Sequence, residues 1–272
     1  MSFTPRFLNA FLHGLFISLL GLSASHAALP KDSRRPGGIA VITLDQQTST
    51  VSLNQLPAAI VVEHGQRYAL VGIPLNTAVG ELNIQSNTGD IKIQVADYAY
   101  AEQRITLKDN KYVEPDEESL ARYKREADEQ NAVYRSFSNH NDSFPSFIAP
   151  TKGKFSNSFG RKRFFNGEPR APHSGLDIPA PQGQPVIAPA DGVVVQTGDY
   201  FFNGQTVMID HGHGIISMLC HLSTIKAKVG DVVKQGTVVG LVGKTGRVTG
   251  AHLHWSLSMN DARVDPQLVL QK

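Results

Sequence analysis

Two histidines separated by one residue, His252 and His254, have the spacing of a metal-binding pair. An extended strand points alternate side chains to the same face, so both imidazoles are expected to face the same way. Farther back, His173 and Asp177 stand four residues apart across a glycine. Zinc takes imidazole nitrogen and carboxylate oxygen from proteins, and three such ligands leave a fourth position for water and substrate. These residue types indicate a catalytic zinc site; ordinary core or surface histidines are the alternative.

Four segments in the second half of the chain follow a recognisable order. They are His-x-x-x-Asp at 173–177, Ala-Pro-Ala-Asp-Gly-Val-Val at 188–194, Val-Met-Ile-Asp-His-Gly at 207–212 continuing to His-Leu-Ser at 221–223, and Thr-Gly-Arg-Val-Thr-Gly-Ala-His-Leu-His at 245–254. Over about residues 150–272 this set resembles the zinc metallopeptidases of family M23, the lysostaphin-like or LytM-like peptidoglycan hydrolases.

The resemblance assigns roles to five residues. It implies that His173, Asp177 and His254 are the zinc ligands and that His221 and His252 are catalytic histidines that do not bind the metal. The implied substrate is a peptide bond in the cross-links or bridges of peptidoglycan. One of the two catalytic histidines is expected to take a proton from water, and the other to support the oxyanion or the leaving amine.

Two positions differ from the family pattern. The family usually has a tyrosine two residues before the histidine of His-Leu-Ser, where this chain has Leu219. The usual Phe-Gly-x-Arg is here Phe-Gly-Arg-Lys, ending at Lys162, with Arg161 and Arg163 on either side. Neither position is an implied zinc ligand, so both concern the positioning of the substrate.

Other motifs predict no competing chemistry. The run Gly243–Thr245 resembles the end of a phosphate loop, but Val238 stands where that loop needs glycine, and no helical pattern follows. The single cysteine, Cys220, lies in an apolar run and is predicted to be a buried, inert thiol. A second His-x-His pair flanks a glycine. The resemblance implies that His211 stands at a strand-end turn, so we expect it to be structural, and we expect His213 to be exposed.

The remaining pattern is mainly β. Short apolar runs separated by turn residues predict a small N-terminal β-sandwich at 28–110 and a second β region at 150–272. The resemblance implies that this second region is a C-terminal antiparallel-β, LytM-like catalytic domain. The strands predicted in the first region are 39–44, 59–62, 68–71, 81–85 and 91–95, and those in the second are 185–188, 192–195, 206–210, 215–219, 232–233, 238–242 and 252–257.

A connecting helix and linker are expected at 111–149. The acidic start of the segment Glu114–Phe137 suits a helix N-terminus, and its apolar residues recur at helical spacing. We expect that apolar stripe to pack into a core. The following polar run, which contains His140, is predicted to be an exposed linker.

Residues 1–27 have the features of a cleavable signal peptide. Arg6 supplies positive charge, Phe11–Leu22 is mostly apolar, and Ser25 and Ala27 are small residues at the cleavage positions. A membrane anchor is the alternative, but the apolar run is shorter than the roughly 20 residues that span a bilayer. The chain is therefore expected to be exported, to the periplasm or beyond, without stable membrane insertion.

Charge is unevenly distributed along the chain. Residues 150–272 contain 13 Lys and Arg against 8 Asp and Glu, whereas residues 1–149 contain 13 against 16. A basic catalytic region is compatible with an anionic polymer such as cell wall, although solvated surface charge explains it equally simply. No basic run is interleaved with aromatic residues, so nucleic acid is not an expected partner.

Three functions remain after these comparisons of motif and composition. The favoured one is an exported zinc endopeptidase that cleaves peptide cross-links of peptidoglycan in cell-wall remodelling. A non-catalytic wall-binding regulator of other hydrolases and a secreted protease that acts on proteins are the alternatives. Because all five implied site positions are filled, the sequence favours the enzyme over the regulator.

Overall fold

The computed structural model describes Met1 and residues 28–106, 114–139 and 143–270. Within these residues the chain is mainly β, with a single α-helix, which confirms the predicted fold class. Residues 2–27 of the predicted signal peptide lie outside the described part, as does His140. None of the helices in the described ranges has the length and apolar character needed to cross a membrane.

The N-terminal region forms two small antiparallel sheets that share an apolar core. One sheet has the order β1-β5-β4 and the other β3-β2-β6-β7. Five of these strands were predicted, whereas the short β2 and β3 were not. The strands are β1 (Ile39–Leu44), β2 (Val51–Leu53), β3 (Leu56–Pro57), β4 (Ala59–Glu63), β5 (Gln66–Gly72), β6 (Gly80–Ser86) and β7 (Ile91–Val95).

The first residues of strand β1 are buried on both faces. Ala40 and Ile42 point into the core between the two N-terminal sheets, whereas Ile39 joins the large core of the C-terminal region. This double burial explains why β1 is a nearly continuous apolar run instead of an alternating one. The side chain of Asn260 also bonds the backbone N–H and C=O of Gly72, at 2.7 and 3.0 Å. The N-terminal region is therefore packed firmly against the C-terminal one.

A small three-stranded sheet links the two regions. Strand β8 (Glu102–Ile105) pairs in parallel with β9 (Lys162–Phe165), which pairs antiparallel with β10 (Glu168–Arg170). The sequence did not predict this sheet. Its strands are short and largely polar, and β8 meets a partner far away in the chain.

Helix α1 (Glu117–Tyr134) begins three residues after the predicted start at Glu114. Asp116 is its N-cap, because the carboxylate accepts a hydrogen bond of 2.8 Å from the backbone N–H of Ser119. Such a cap satisfies one of the unpaired amides at a helix start.

The prediction that the apolar stripe of this segment packs into a core is wrong for most of its members. Leu120, Tyr123 and Phe137 are 48%, 45% and 38% exposed, and only Gln130 and Tyr134 are buried within the helix. Helical spacing shows which side chains share a face, but not whether an apolar partner covers that face. Here the face lies over a polar cleft.

The C-terminal region is built on a nine-stranded antiparallel sheet, in which β18 lies between β11 and β15. Every strand predicted in this region is present, and the large sheet also contains β11 and β19, which were not predicted. The strands are β11 (Leu176–Pro179), β12 (Pro185–Ile187), β13 (Gly192–Tyr200), β14 (Gly204–Asp210), β15 (Ile215–Ile225), β16 (Val232–Val233), β17 (Val238–Val242), β18 (His252–Met259) and β19 (Ala262–Val264). The sheet's core includes the fully buried Trp255.

Candidate metal centre and catalytic cleft

A cleft of about 360 Å³ opens where helix α1, the sheet β8-β9-β10 and the large sheet meet. All five residues singled out from the sequence line it: His173, Asp177, His221, His252 and His254. The structure therefore brings together every predicted site residue.

Strand pairing explains why these side chains meet. His252 and His254 are alternate residues of β18 and share one face, as expected. The register of β11 on β18 sets Asp177 opposite His254, and β15 on the other side sets Cys220 opposite it, with His221 next in sequence. Four of the five residues thus lie on three neighbouring strands, β11, β18 and β15, and His173 lies three residues before β11.

Three donor atoms form a tight triangle. His173 Nε2 and His254 Nδ1 are 2.9 Å apart, and Asp177 Oδ1 lies 3.2 Å from the first and 2.9 Å from the second. Gly175 makes this approach possible, because a Cβ at that position would lie 2.5 Å from Nε2 of His254.

Hydrogen bonds on the far side of each ring fix its tautomer. Nδ1 of His173 is 2.9 Å from the carbonyl oxygen of Ser158, which can only accept, so Nδ1 carries the proton and Nε2 the lone pair. In His254 the arrangement is reversed. Ser256 donates its hydroxyl hydrogen to the carbonyl of Ser174, so its oxygen accepts from Nε2–H of His254, at 2.9 Å.

Three electron-rich atoms therefore converge on one point. Two imidazole lone pairs and a carboxylate oxygen, at such separations, repel one another unless a cation or proton lies among them. Orientation of a ligating histidine by a hydrogen bond on its other nitrogen is a general feature of metal sites. The donor set of His173, Asp177 and His254 therefore fits a bound metal ion.

The local electrostatics favour the ligand forms of these groups. Burial lowers the pKa of His173 to about 4, so the ring is neutral at physiological pH. Burial by itself would raise the pKa of the Asp177 carboxyl, but the close contacts of its Oδ1 with the rings of His173 and His254 outweigh that effect, and the pKa lies below its usual range. A neutral imidazole beside an ionised carboxylate is the state that binds a divalent cation.

His221 and His252 face the same cleft from the other side of the donor triangle, with ring centroids 4.9 Å apart. Nδ1 of His221 is 2.9 Å from the carbonyl oxygen of Thr245, and Nδ1 of His252 is 2.9 Å from that of Gly250. Both rings therefore carry their proton on Nδ1 and their lone pair on Nε2. Nε2 of His252 lies 3.7 Å from Oδ1 of Asp177.

The backbone of His221 is held in an uncommon conformation. Its φ of 62° is left-handed, which costs a non-glycine residue of order 1–3 kcal/mol and is characteristic of functional sites. Its N–H donates to the carbonyl of Asn203 at 2.9 Å. Burial, followed by the nearby His254 and His252, places the pKa of His221 well below its ordinary value. The neutral ring can therefore accept a proton.

Helix α1 supports the position of His221, and the sequence did not predict this role of the helix. Gln130 accepts a hydrogen bond of 2.9 Å from the side chain of Asn203, the residue whose carbonyl holds His221. Glu126 accepts the N–H of Phe201 at 2.7 Å. The helix therefore fixes the loop that forms one wall of the cleft.

The backbone carbonyls that orient the rings leave no signal in the amino-acid sequence. Ser256 could have been recognised as a site residue, because it lies on the same face of β18 as His252 and His254.

The other residues singled out from the sequence lie away from the cleft. His211 is buried at the turn after β14, as predicted, whereas His213 is only 6% exposed, so the prediction of an exposed ring is wrong. Its ring packs at 6.2 Å from that of Phe137, which the sequence pattern does not reveal. Cys220 is fully buried, which raises its pKa to about 12 and confirms an inert thiol.

The two departures from the family pattern fall outside the cleft. Leu219 is fully buried in the large core. Lys162 is exposed at the start of β9, and its neighbour Arg163 lines the cleft instead.

Comparison with known proteins agrees with this geometry. The model of peptidase family M23 matches residues 171–266, which include all five site residues. A solved structure described as a peptidase M23 from Pseudomonas aeruginosa is 40% identical; the match covers 88% of this chain and 96% of that one, with a TM-score of 0.71. This chain belongs to peptidase family M23. Membership of this metallopeptidase family implies a metal ion, and His173, Asp177 and His254 are the group in the described residues that could hold one.

Two curated relatives of this M23 chain have named activities. Peptidoglycan DD-endopeptidase ShyA of Vibrio cholerae is 41% identical over 115 residues, which are 42% of this chain and 27% of ShyA. DD-carboxypeptidase/endopeptidase Mpg of Neisseria meningitidis is 45% identical over 94 residues, which are 35% of this chain and 22% of Mpg. The chain therefore matches less than a third of the length of either relative.

Proposed function

We propose that this chain is a zinc-dependent endopeptidase that hydrolyses peptide cross-links of peptidoglycan in cell-wall remodelling. The observation that carries the proposal is the convergence of two imidazole lone pairs and a carboxylate oxygen within 3.2 Å of one another, beside two further histidines. The similarity to ShyA and Mpg supports peptidoglycan as the substrate. The basic charge of residues 150–272 is compatible with an anionic wall polymer.

His173, Asp177 and His254 would hold the zinc ion. Two imidazoles and one carboxylate are a ligand set typical of catalytic zinc, with one position left for water or substrate. When bound, zinc polarises the scissile carbonyl and lowers the pKa of the attacking water from about 15.7 to about 7. The ring orientations described above support His173 Nε2, Asp177 Oδ1 and His254 Nδ1 as the proposed ligand atoms.

His221 and His252 would transfer protons. Each has its lone pair on Nε2, so either ring can accept the proton of the attacking water at that atom. The other ring takes up a proton at Nε2 from solvent in the cleft and donates it to the oxyanion or to the leaving amine. Because Nδ1 of each ring is bonded to a backbone carbonyl, neither ring needs to rotate between accepting and donating.

We further propose that residues 1–27 direct export and that the mature protein is in the periplasm or is secreted, where peptidoglycan is accessible. N-terminal sequencing of the exported protein is expected to begin at Ala28. A mature protein that began at Met1 and sedimented with membranes would show an uncleaved anchor instead.

The division into 28–110, 111–149 and 150–272 is part of the same proposal. The burial of Ile39, Val61 and Leu70 in the C-terminal core supports a catalytic region stabilised by the N-terminal one. A fragment of residues 145–272 is therefore expected to fold with a lower free energy of unfolding than the whole chain, because these apolar contacts are lost. A fragment as stable as the whole chain would contradict that stabilising role.

Digestion of purified peptidoglycan by the mature protein tests the function. Mass analysis should show cross-linked fragments converted to uncrosslinked ones, inhibition by a chelator and recovery with zinc. A protein substrate tested in parallel should remain intact, and the variant His254→Ala should release nothing. Release that is insensitive to chelator, or cleavage of the protein alone, would overturn the proposal.

A further inference from the structure

Arg163 places a positive charge inside the cleft, next to the proposed metal ligands. It lies on β9, where alternation sends Arg163 and Phe165 into the cleft and leaves Lys162 exposed to solvent. Its side chain is 19% exposed, and its nearest guanidinium nitrogen is 3.9 Å from Oδ2 of Asp177.

The polar contacts that the protein makes with the guanidinium of Arg163 are few and long. Its Nε donates to Oε1 of Gln103 at 3.4 Å, and the 3.9 Å distance to Asp177 exceeds that of a hydrogen bond. These are the polar contacts that the described residues supply to a group with five N–H donors. Burial lowers its pKa, but an arginine remains charged at physiological pH. A partly desolvated cation with few partners is costly unless an anion joins it.

The acidic residues that line the cleft are already engaged. Glu126 pairs with Arg122 at 2.6 Å and accepts the N–H of Phe201, whereas Asp177 Oδ1 faces the histidines. Arg247 adds a second positive charge between the rings of Phe165 and Phe202, at 4.7 and 4.2 Å from their centroids. The wall of the cleft near β9 therefore suits an incoming anion.

We propose that Arg163 binds a free carboxylate of the substrate on the residue next to the scissile amide. This inference rests on the proposed function and defines the type of cross-link. Successive Cα atoms are about 3.8 Å apart, so a group held by Arg163 belongs to a residue at or beside the scissile bond. Guanidinium and carboxylate fit as a two-pronged pair.

The consequence is a preference between two kinds of cross-link. When the scissile nitrogen is an α-amino group, the carbon that bears it also carries a carboxyl group. That carboxyl is an anion if it is free, and it is neutral if it is amidated. A bridge made of glycine residues presents no charge next to its internal amides. Arg163 should therefore favour cross-links that carry a free carboxylate next to the scissile nitrogen.

The test uses two synthetic cross-linked peptides that differ only in carboxylate or carboxamide next to the scissile nitrogen. The wild-type protein should cleave the carboxylate peptide with a kcat/KM larger on the order of tenfold or more, mainly through KM, as a charged hydrogen bond implies. Arg163→Gln should bring the ratio close to one. Lys162→Gln removes a neighbouring charge that faces solvent and should keep the preference.

Binding gives a second readout that does not require turnover. Calorimetry with the metal-free protein should show tighter binding of the carboxylate peptide, and Arg163→Gln should abolish the difference. Arg163→Lys keeps the positive charge but not the two-pronged guanidinium, so it should restore part of the difference in binding. This variant also controls for misfolding of the Arg163→Gln protein.

The outcomes separate this inference from the proposed function. Equal cleavage of both peptides by the wild type would overturn the role of Arg163 and leave the endopeptidase intact. Equal slowing on both peptides by Arg163→Gln would show that Arg163 acts on Asp177 and would likewise overturn it. Cleavage of neither peptide, with carboxylate-selective binding retained, would count against the endopeptidase and in favour of the anion site.

Discussion

The pairs His211/His213 and His252/His254 have the same spacing but present their ring nitrogens differently. His211 donates from Nδ1 to the carbonyl of Asp191 at 2.7 Å, so its Nε2 lone pair accepts the hydroxyl hydrogen of Ser217 at 2.8 Å. Both nitrogens of His211 are therefore used within the fold. In His254 one nitrogen is used in this way, and the other points at a second imidazole and a carboxylate.

Backbone conformation separates the pairs further. His252 and His254 lie on an extended strand, so their rings share one face. Between the other two lies Gly212 with φ of 90°, and His213 itself has φ of 55°, so its ring leaves the face of His211 and meets Phe137. Spacing alone therefore does not define a metal pair. The direction of the lone pair, set by the hydrogen bond on the other nitrogen, does.

The largest expected effect comes from deleting the ring of His254, and deletion of the matching ring in the other pair is its control. His254→Ala removes a proposed ligand and should lose most of the bound zinc and essentially all hydrolysis. His213→Ala is the matched control and should keep both, because its ring does not line the cleft. Elemental analysis measures the bound zinc, and digestion of peptidoglycan measures the hydrolysis. Zinc loss in the His213 variant alone would reverse the assignment.

Among the cleft histidines, the ligand and proton-transfer roles should separate. His221→Ala and His252→Ala should each keep the metal, yet lower the hydrolysis rate by on the order of 10²–10⁴, the usual contribution of a general acid or base. Metal content and kcat, determined on the same samples, check this. Wild-type turnover in either variant would remove that histidine from the mechanism.

The hydrogen bond between His254 Nε2 and the hydroxyl of Ser256 predicts a further loss of metal affinity when Ser256 is replaced. Ser256→Ala removes the acceptor of His254 Nε2–H and should weaken metal affinity by about 10–100-fold, as for other groups that orient a ligand. Ser258→Ala, on the same face of β18 but bonded to Arg263, is the control. Competition with a zinc indicator measures both affinities. Equal affinities in the two variants would mean that Ser256 does not set the ring orientation.

Replacement of His211 should have the smallest effect on zinc binding of these variants, but it should clearly lower the stability of the fold. His211→Ala should lower the free energy of unfolding by about 1–3 kcal/mol, because the hydroxyl of Ser217 loses its buried acceptor. Denaturant titration checks the stability, and zinc content should remain unchanged. A fully stable variant would show that the two hydrogen bonds of His211 are dispensable.

The two pairs also show how far sequence reasoning extends. The alternation of β18 and the spacing of His173 and Asp177 pointed to four of the cleft residues, because local spacing determines which side chains share a strand face, whereas His221 was predicted only from the resemblance to family M23. The hydrogen bonds that orient the rings involve the carbonyls of Ser158, Thr245 and Gly250. Any residue supplies a carbonyl, so the chain sequence contains no sign of them.

Regions with weak local signal were predicted less well. Strand β7 was predicted with its observed bounds, whereas β8 was missed, because Glu-Gln-Arg-Ile has little β pattern and pairs with β9 from a distant part of the chain. The apolar stripe of helix α1 was given the wrong environment for a related reason. Its periodicity is local, but the cleft beneath it is assembled from several distant segments.

Anomalous diffraction at the zinc edge, on crystals of the mature protein grown with zinc, tests the central claim most directly. We expect one strong peak within bonding distance of His173 Nε2, Asp177 Oδ1 and His254 Nδ1, with Nε2 of His221 and of His252 nearby but not coordinated. A peak beside His211 or His213, or the absence of any peak among the three proposed ligands, would contradict the account.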